Sequence, residues 1–213
     1  MKFQADDGIE GRHEELIQLA NSLGLMTAVT IRNEISIKYR KVDYLKIGSG
    51  ECLNDSLVRV ALDDGRRVIV STGGTTESEL RKILSYRAFA PIIVCECVSS
   101  YPNHPSEIRL GVLRDNFVIK GYSDHMQSYH MSLAAIALGV EYIEKHISLD
   151  PMREDANHSS SISPSAFREM VRQGKEIYVA LENSKKVVQQ REISTGRLTE
   201  YRRKYLPLWG TAA

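Results

Sequence analysis

This chain has almost no net charge. Its 28 Lys and Arg residues nearly balance 27 Asp and Glu, leaving +1. That balance removes the electrostatic argument for a nucleic-acid partner or an anionic membrane surface. No apolar run approaches the ~18 residues of a membrane span. The opening "MKFQADDGIEG" has no apolar core of the signal-peptide kind. Cysteine is scarce and odd in number: Cys52, Cys95 and Cys97. With no secretory signal, the expectation is reduced thiols and a cytoplasmic setting. Cys95 and Cys97 share one face of a strand, where two thiols without further ligands read as small core residues rather than a zinc site. No Gly-x-Gly-x-x-Gly follows a first strand, which argues against a dinucleotide site. What remains is 213 residues, 42% hydrophobic and 26% charged, ordinary for a globular protein of one large or two small domains.

Along the chain, strand-like and helix-like segments alternate. Strand candidates are "MKFQ" at the start, 25–31, "YLKIGSG" from Tyr44, 67–74, 91–102, 117–125 and 141–149. Helix candidates lie between them. In 12–23, Leu16, Leu19, Ala20 and Leu23 form one stripe, and Gly24 stops it. Asp55 and Ser56 can open a helix over 55–63, Thr76 or Ser78 the next, and 131–140 is rich in small residues. The stretch 164–184 carries Phe167, Met170, Val171, Ile177, Tyr178 and Leu181 on its apolar stripe. Such alternation implies parallel strands in an α/β fold. About seven strands point to a (β/α) barrel of the TIM type that is incomplete, since a full one has eight. The barrel domain is expected over 1–184. Residues 185–213, basic and without periodicity, read as an extension or linker remnant.

Polar residues cluster where the strands end, as at the C-terminal face of a barrel. Lys2, Thr30, Lys46, Ser49, Glu51, Ser71, Thr72, Ser99, Ser100, Tyr101, Ser123, Asp124, His125, Glu144 and His146 would converge there. Two lysines among hydroxyls suit an anion such as a phosphate or carboxylate. Two imidazoles from different strands could hold one divalent metal, leaving positions for water and substrate. Plainer readings stand beside these. Lys46 could snorkel to the surface, or serve as a Schiff-base lysine. His146 could be a satisfied structural group, and Gly-Ser-Gly a simple turn.

Taken together, "KFQ" (2–4), "KIGSGE" (46–51), "VIVSTGG" (68–74), "CVSSYP" (97–102), "GYSDH" (121–125) and "IEKHISLD" (143–150) stand in the order and spacing of the sialic acid synthase family. "NHSSSISP" (157–164) resembles that family's motif after the last barrel strand. The resemblance runs from Lys2 to about Leu181. It implies a TIM barrel that condenses phosphoenolpyruvate with an N-acetylated hexosamine, releasing phosphate and a 2-keto-3-deoxy sugar acid, in polysaccharide biosynthesis. By that resemblance Lys2, Thr30, Lys46, Ser49, Ser71, Ser99 and Ser123 look like the phosphoenolpyruvate pocket. His125 and His146 look like the protein ligands of Mn²⁺ or Mg²⁺. Glu51 and Tyr101, with Lys46, look like the groups facing the reacting carbons, and a homodimer is the family-like assembly.

The departures from the pattern fall mostly on the sugar side. The family begins with one more βα unit, carrying a glutamate, so the expectation is a barrel short of its first unit. The family's aspartate in the last motif is Asn157 here, and its "HC" is Glu96-Cys97. The family's C-terminal antifreeze-like domain has no counterpart among the motifs. The enzyme reading therefore has a rival: a partial barrel that binds a ligand or a subunit without turnover.

Overall fold

The computed structural model describes residues 10–33, 37, 41–88, 91–116, 118–185, 187, 189–194, 200 and 204. Six strands pair in parallel and in chain order: β1 (Ala28–Ile31), β2 (Tyr44–Ile47), β3 (Arg67–Ser71), β4 (Ile92–Cys97), β5 (Gly121–Asp124) and β6 (Tyr142–Lys145). The strand expected over "MKFQ", with Lys2, lies outside the described residues. Helix α1 (Glu10–Ser22) precedes β1; α2 (Asp55–Asp63), α3 (Glu77–Ser85), α4 (Leu110–Asp115) and α5 (His130–Ala137) alternate with the strands from β2 to β6; α6 (Ala156–Ser159), α7 (Pro164–Glu182) and a short α8 (Gln190–Ser194) follow β6. By internal contacts the chain divides into a unit ending at Tyr178 and a second from Val179 onward.

The central strands β2, β3 and β4 bury one face. Leu45, Ile47, Val68, Val70 and Val94 stack in register and form the core with Leu57, Val58, Leu80 and Ile83 of α2 and α3. This continuous β-branched packing is what a parallel sheet covered by helices requires. The starts of α2 and α3 are fixed by side chains. Asn54, rather than Asp55 or Ser56, caps α2 by accepting the Leu57 N–H, and Thr76 forms a capping box with Glu79 at α3.

Two helical stripes pack differently from the sequence expectation. On α1, Ile17 packs against the core, whereas Leu16 and Leu19, and Leu23 just past the helix end, are more than half exposed. On α7, the buried residues are Met170 and Gly174, with Val171 and Tyr178 turned outward. Gly174 explains the rotation: a Cβ there would stand 2.9 Å from Ile136 Cδ1 on α5, so the helices meet at the one position without a side chain. Between β4 and β5 the chain makes a 3₁₀ turn (Pro105–Glu107) followed by the short α4.

The opposite face of the sheet carries Ile69, Cys95 and Cys97, also buried, together with Lys46, Ser71, Ser123 and Glu144. Its curvature follows from one contact. Lys46 on β2 and Glu144 on β6 are four strands apart, which in a flat sheet is about 19 Å. Their side chains together reach only about 10 Å. Yet Lys46 Nζ lies 2.5 Å from Glu144 Oε1. The sheet is therefore curled, with this face concave, as in a barrel wall. A parallel bridge between Ile147 and Ile162 continues the pairing just beyond β6.

Candidate active site on the concave face

Parallel strands place all their C-terminal ends on one side, and the residues of interest meet there. Lys46 and Glu144 form an ion pair across the concavity. Glu144 Oε2 accepts the Ser123 hydroxyl at 2.5 Å. Burial alone would raise the Glu144 carboxyl; the Lys46 ammonium and Ser123 outweigh it and hold it below the usual carboxylate range. Glu144 is thus an ionised group inside the pocket, a role that the sequence did not single out.

His125 follows β5 and His146 follows β6. Their ring centroids lie 5.5 Å apart at 74°, and the Tyr101 ring lies 4.1 Å from His125 and 5.9 Å from His146. His125 Nδ1 is 2.7 Å from the Val98 carbonyl, which can only accept, so Nδ1 carries the proton. Its Nε2 lies 3.3 Å from Ser123 Oγ, whose proton goes to Glu144, so the Nε2 lone pair is left uncapped. Burial pushes both imidazoles below the usual histidine range, so both rings are neutral near pH 7. Burial pushes the Tyr101 phenol up to about 12, leaving it a hydrogen-bond donor.

These features fit a metal. A divalent ion about 2.1 Å from one nitrogen of each ring puts the centroids at most about 6.5 Å apart. The observed separation of 5.5 Å is within that span. Backbone anchoring of Nδ1 is the outer-shell arrangement that orients a ligating histidine. Among the described residues no cluster of three or more His, Cys, Asp or Glu side chains has metal-site geometry. The other positions of such an ion would be left to water or substrate oxygen.

The remaining residues divide between this strand-end side and positions away from it. Thr30 is the register partner of Lys46 and is exposed on β1. Ser99 Oγ donates to Ser49 Oγ at 2.6 Å, joining the loops after β4 and β2. Ser71, the last residue of β3, is buried, and its hydroxyl has no partner among the described residues. Glu51, half-buried, follows the turn in which its N–H donates to Gly48 O. Asn157 lies in α6: its N–H goes to Asp155 and its carbonyl accepts Ser161 Oγ, contacts that do not reach the histidines or Lys46. Asp155 is occupied as the cap of α6 and as the partner of His158 Nδ1. Glu96 points to the helix side, buried against Arg109 at 2.8 Å and away from the pocket.

Residues 8–186 match the sequence profile of the NeuB family. The chain belongs to the NeuB family. It is 27% identical over 173 residues to the N-acetylneuraminate-9-phosphate synthase of Homo sapiens, covering 76% of this chain and 48% of that protein. It is 30% identical over 186 residues to the N,N'-diacetyllegionaminic acid synthase of Campylobacter jejuni, covering 79% and 54%. This NeuB-family chain thus spans about half the length of the curated relatives it matches. In three dimensions it is similar to the N-acetylneuraminic acid synthetase of Leptospira borgpetersenii, solved in complex with citrate. The TM-score is 0.76 at 27% identity, over 90% of this chain and 70% of that one. A truncated 3-deoxy-D-arabino-heptulosonate 7-phosphate synthase from Thermotoga maritima shares the fold, with a TM-score of 0.70 at 20% identity over 83% of this chain and 74% of that one. The curled six-stranded wall is accordingly part of a TIM-type barrel.

Proposed function

We propose that this NeuB-family chain is the barrel portion of a synthase that joins phosphoenolpyruvate to the open-chain aldehyde of an N-acetylated hexosamine. The products are a sialic-type 2-keto-3-deoxy sugar acid and phosphate. One observation carries the reading: a lysine paired with an internal carboxylate lies across the concavity from two neutral, adjacent imidazoles. Lys46 would take the phosphate or carboxylate of the enolpyruvyl ester, displacing Glu144. Thr30, Ser49, Ser71, Ser99 and, by resemblance, Lys2 would supply the surrounding donors. His125 and His146 would hold Mn²⁺ or Mg²⁺, which when bound polarises the aldehyde oxygen. Tyr101 donates to the same developing negative charge. Glu144, once displaced, is an ionised carboxylate able to orient the water that adds at C2, and Glu51 faces the sugar. Asn157 cannot accept a proton as a carboxylate would, so it can only bind. A cytoplasmic homodimer is the setting that this reading implies.

The test is phosphate release from phosphoenolpyruvate by folded protein with Mn²⁺ and a panel of N-acetylated hexosamines. His146→Ala should abolish it, and no release with any sugar refutes the reading. The amide at Asn157 favours a second reading, a barrel that binds the anion without turnover. Phosphoenolpyruvate binding that depends on Lys46, without phosphate release, would support that one.

A further inference from the structure

The convex face of β5 and β6 carries a charged pair that the proposed chemistry does not use. Asp124 and Lys145 are register partners, their side chains are fully buried, and Nζ lies 3.3 Å from Oδ1. The ammonium also donates to the Asp124 carbonyl at 3.4 Å and to the Met126 carbonyl. The carboxylate accepts the Met126 N–H at 2.9 Å and the Ser132 hydroxyl of α5 at 2.6 Å. Every donor of the ammonium is therefore used, and both carboxylate oxygens are occupied.

The position of these contacts matters more than their number. Asp124 and Met126 flank His125, and Lys145 precedes His146. The backbone on both sides of one imidazole is thus tied to the residue beside the other. His125 is further held through its carbonyl, which accepts the Asn103 N–H at 3.2 Å, and His146 through its carbonyl, which accepts the Ile162 N–H at 3.0 Å. Stability alone gives little reason for the pair. Desolvating two charges offsets most of their attraction, and an apolar pair of equal volume holds strands about as well. An apolar pair would not grip the carbonyls and amide around His125.

We infer that Lys145, with Asp124, is a positioning residue that sets where His125 stands relative to His146. Its proposed use rests on the metal reading above, but the placement itself can be read without metal. The variant is Asp124→Asn/Lys145→Met, which removes the ammonium without leaving an unpaired buried charge. Val70→Ala, a core change away from the site, serves as the control for a purely structural loss.

In metal-free wild type, the ring protons of Tyr101, His125 and His146 should show mutual nuclear Overhauser effects. These should weaken or vanish in the double variant and persist in Val70→Ala. Co²⁺ affinity should fall roughly 10- to 100-fold in the double variant, with a shifted visible band. A folded double variant with wild-type ring contacts overturns the inference. If wild type binds no Co²⁺, or if His146→Ala binds it equally well, the metal reading fails while the ring contacts still decide the positioning. Should the double variant not fold, Ser132→Ala frees one carboxylate oxygen and should weaken the His125–His146 contact in the same direction. Unchanged ring contacts in that variant would also refute the inference.

Discussion

Replacing Glu144 by glutamine should make the pocket bind anions more tightly. In the free protein the Lys46 ammonium is already spent on Glu144, at 2.5 Å, with both side chains at least three-quarters buried. Two unit charges about 4 Å apart at an effective dielectric near 20 attract by about 4 kcal/mol before solvation is counted. The net value of a charged hydrogen bond is about 1.5–3 kcal/mol. An incoming phosphate must break this bond. Glutamine keeps the shape and a neutral hydrogen bond worth about 1 kcal/mol, so the cost falls by about 0.5–2 kcal/mol. That corresponds to roughly 2- to 30-fold tighter binding. The assay is calorimetric titration with inorganic phosphate, without metal, at pH 7.5 and low salt. The pH choice follows from the sign of the shift. The Glu144 carboxyl is depressed, so the ion pair is complete above the ordinary carboxylate range and is lost only as pH falls through the lowered value. Glu141→Gln, an exposed carboxylate beside Lys120, controls for mere loss of charge. Phosphate binding no tighter in Glu144→Gln than in Glu141→Gln would refute the reasoning. So would wild-type affinity in Lys46→Met.

Other outcomes follow from the packing. Burial pushes the Cys97 thiol up to about 11, and Cys52 and Cys95 are raised too, so all three should react slowly with Ellman's reagent in the native protein and rapidly after denaturation. Tyr122 is buried with its hydroxyl unpartnered among the described residues, so Tyr122→Phe should raise stability by about 1 kcal/mol in urea unfolding; a loss would mean that the hydroxyl is paired. Gly73→Ala would put a methyl 2.1 Å from Ser99 Oγ and 2.7 Å from Cys97 Sγ. It should cost about 1–3 kcal/mol and weaken phosphate binding by moving the loop that carries Ser99.

The β-branched runs and turn residues made six strands legible, because the central strands bury one face against helices. Helix existence was legible as well, but helix facing was less so. A stripe such as Leu16, Leu19 and Leu23 says that a face is apolar, not that anything covers it, and α1 packs through Ile17 instead. On α7 the deciding residue was Gly174, which a hydrophobic stripe does not count. The pocket rim was legible because parallel strands put their ends together. The Lys46–Glu144 pair was not, since it depends on how far the sheet curls. The Asp124–Lys145 pair was equally hidden, because it depends on strand register, which neither residue announces.

The strand order has a consequence for how the molecule assembles. Among the described residues each strand pairs with its neighbours in the chain, so every pairing joins segments close in sequence and closes a short loop. The Lys46–Glu144 contact is different: it cannot form until the four steps from β2 to β6 are in place. It therefore belongs after the main folding barrier, and weakening it should speed unfolding more than it slows folding. A partly folded chain has strands and helices but no pocket. Ligands that recognise the finished concavity would act on the native state alone, holding the wall closed once it has formed.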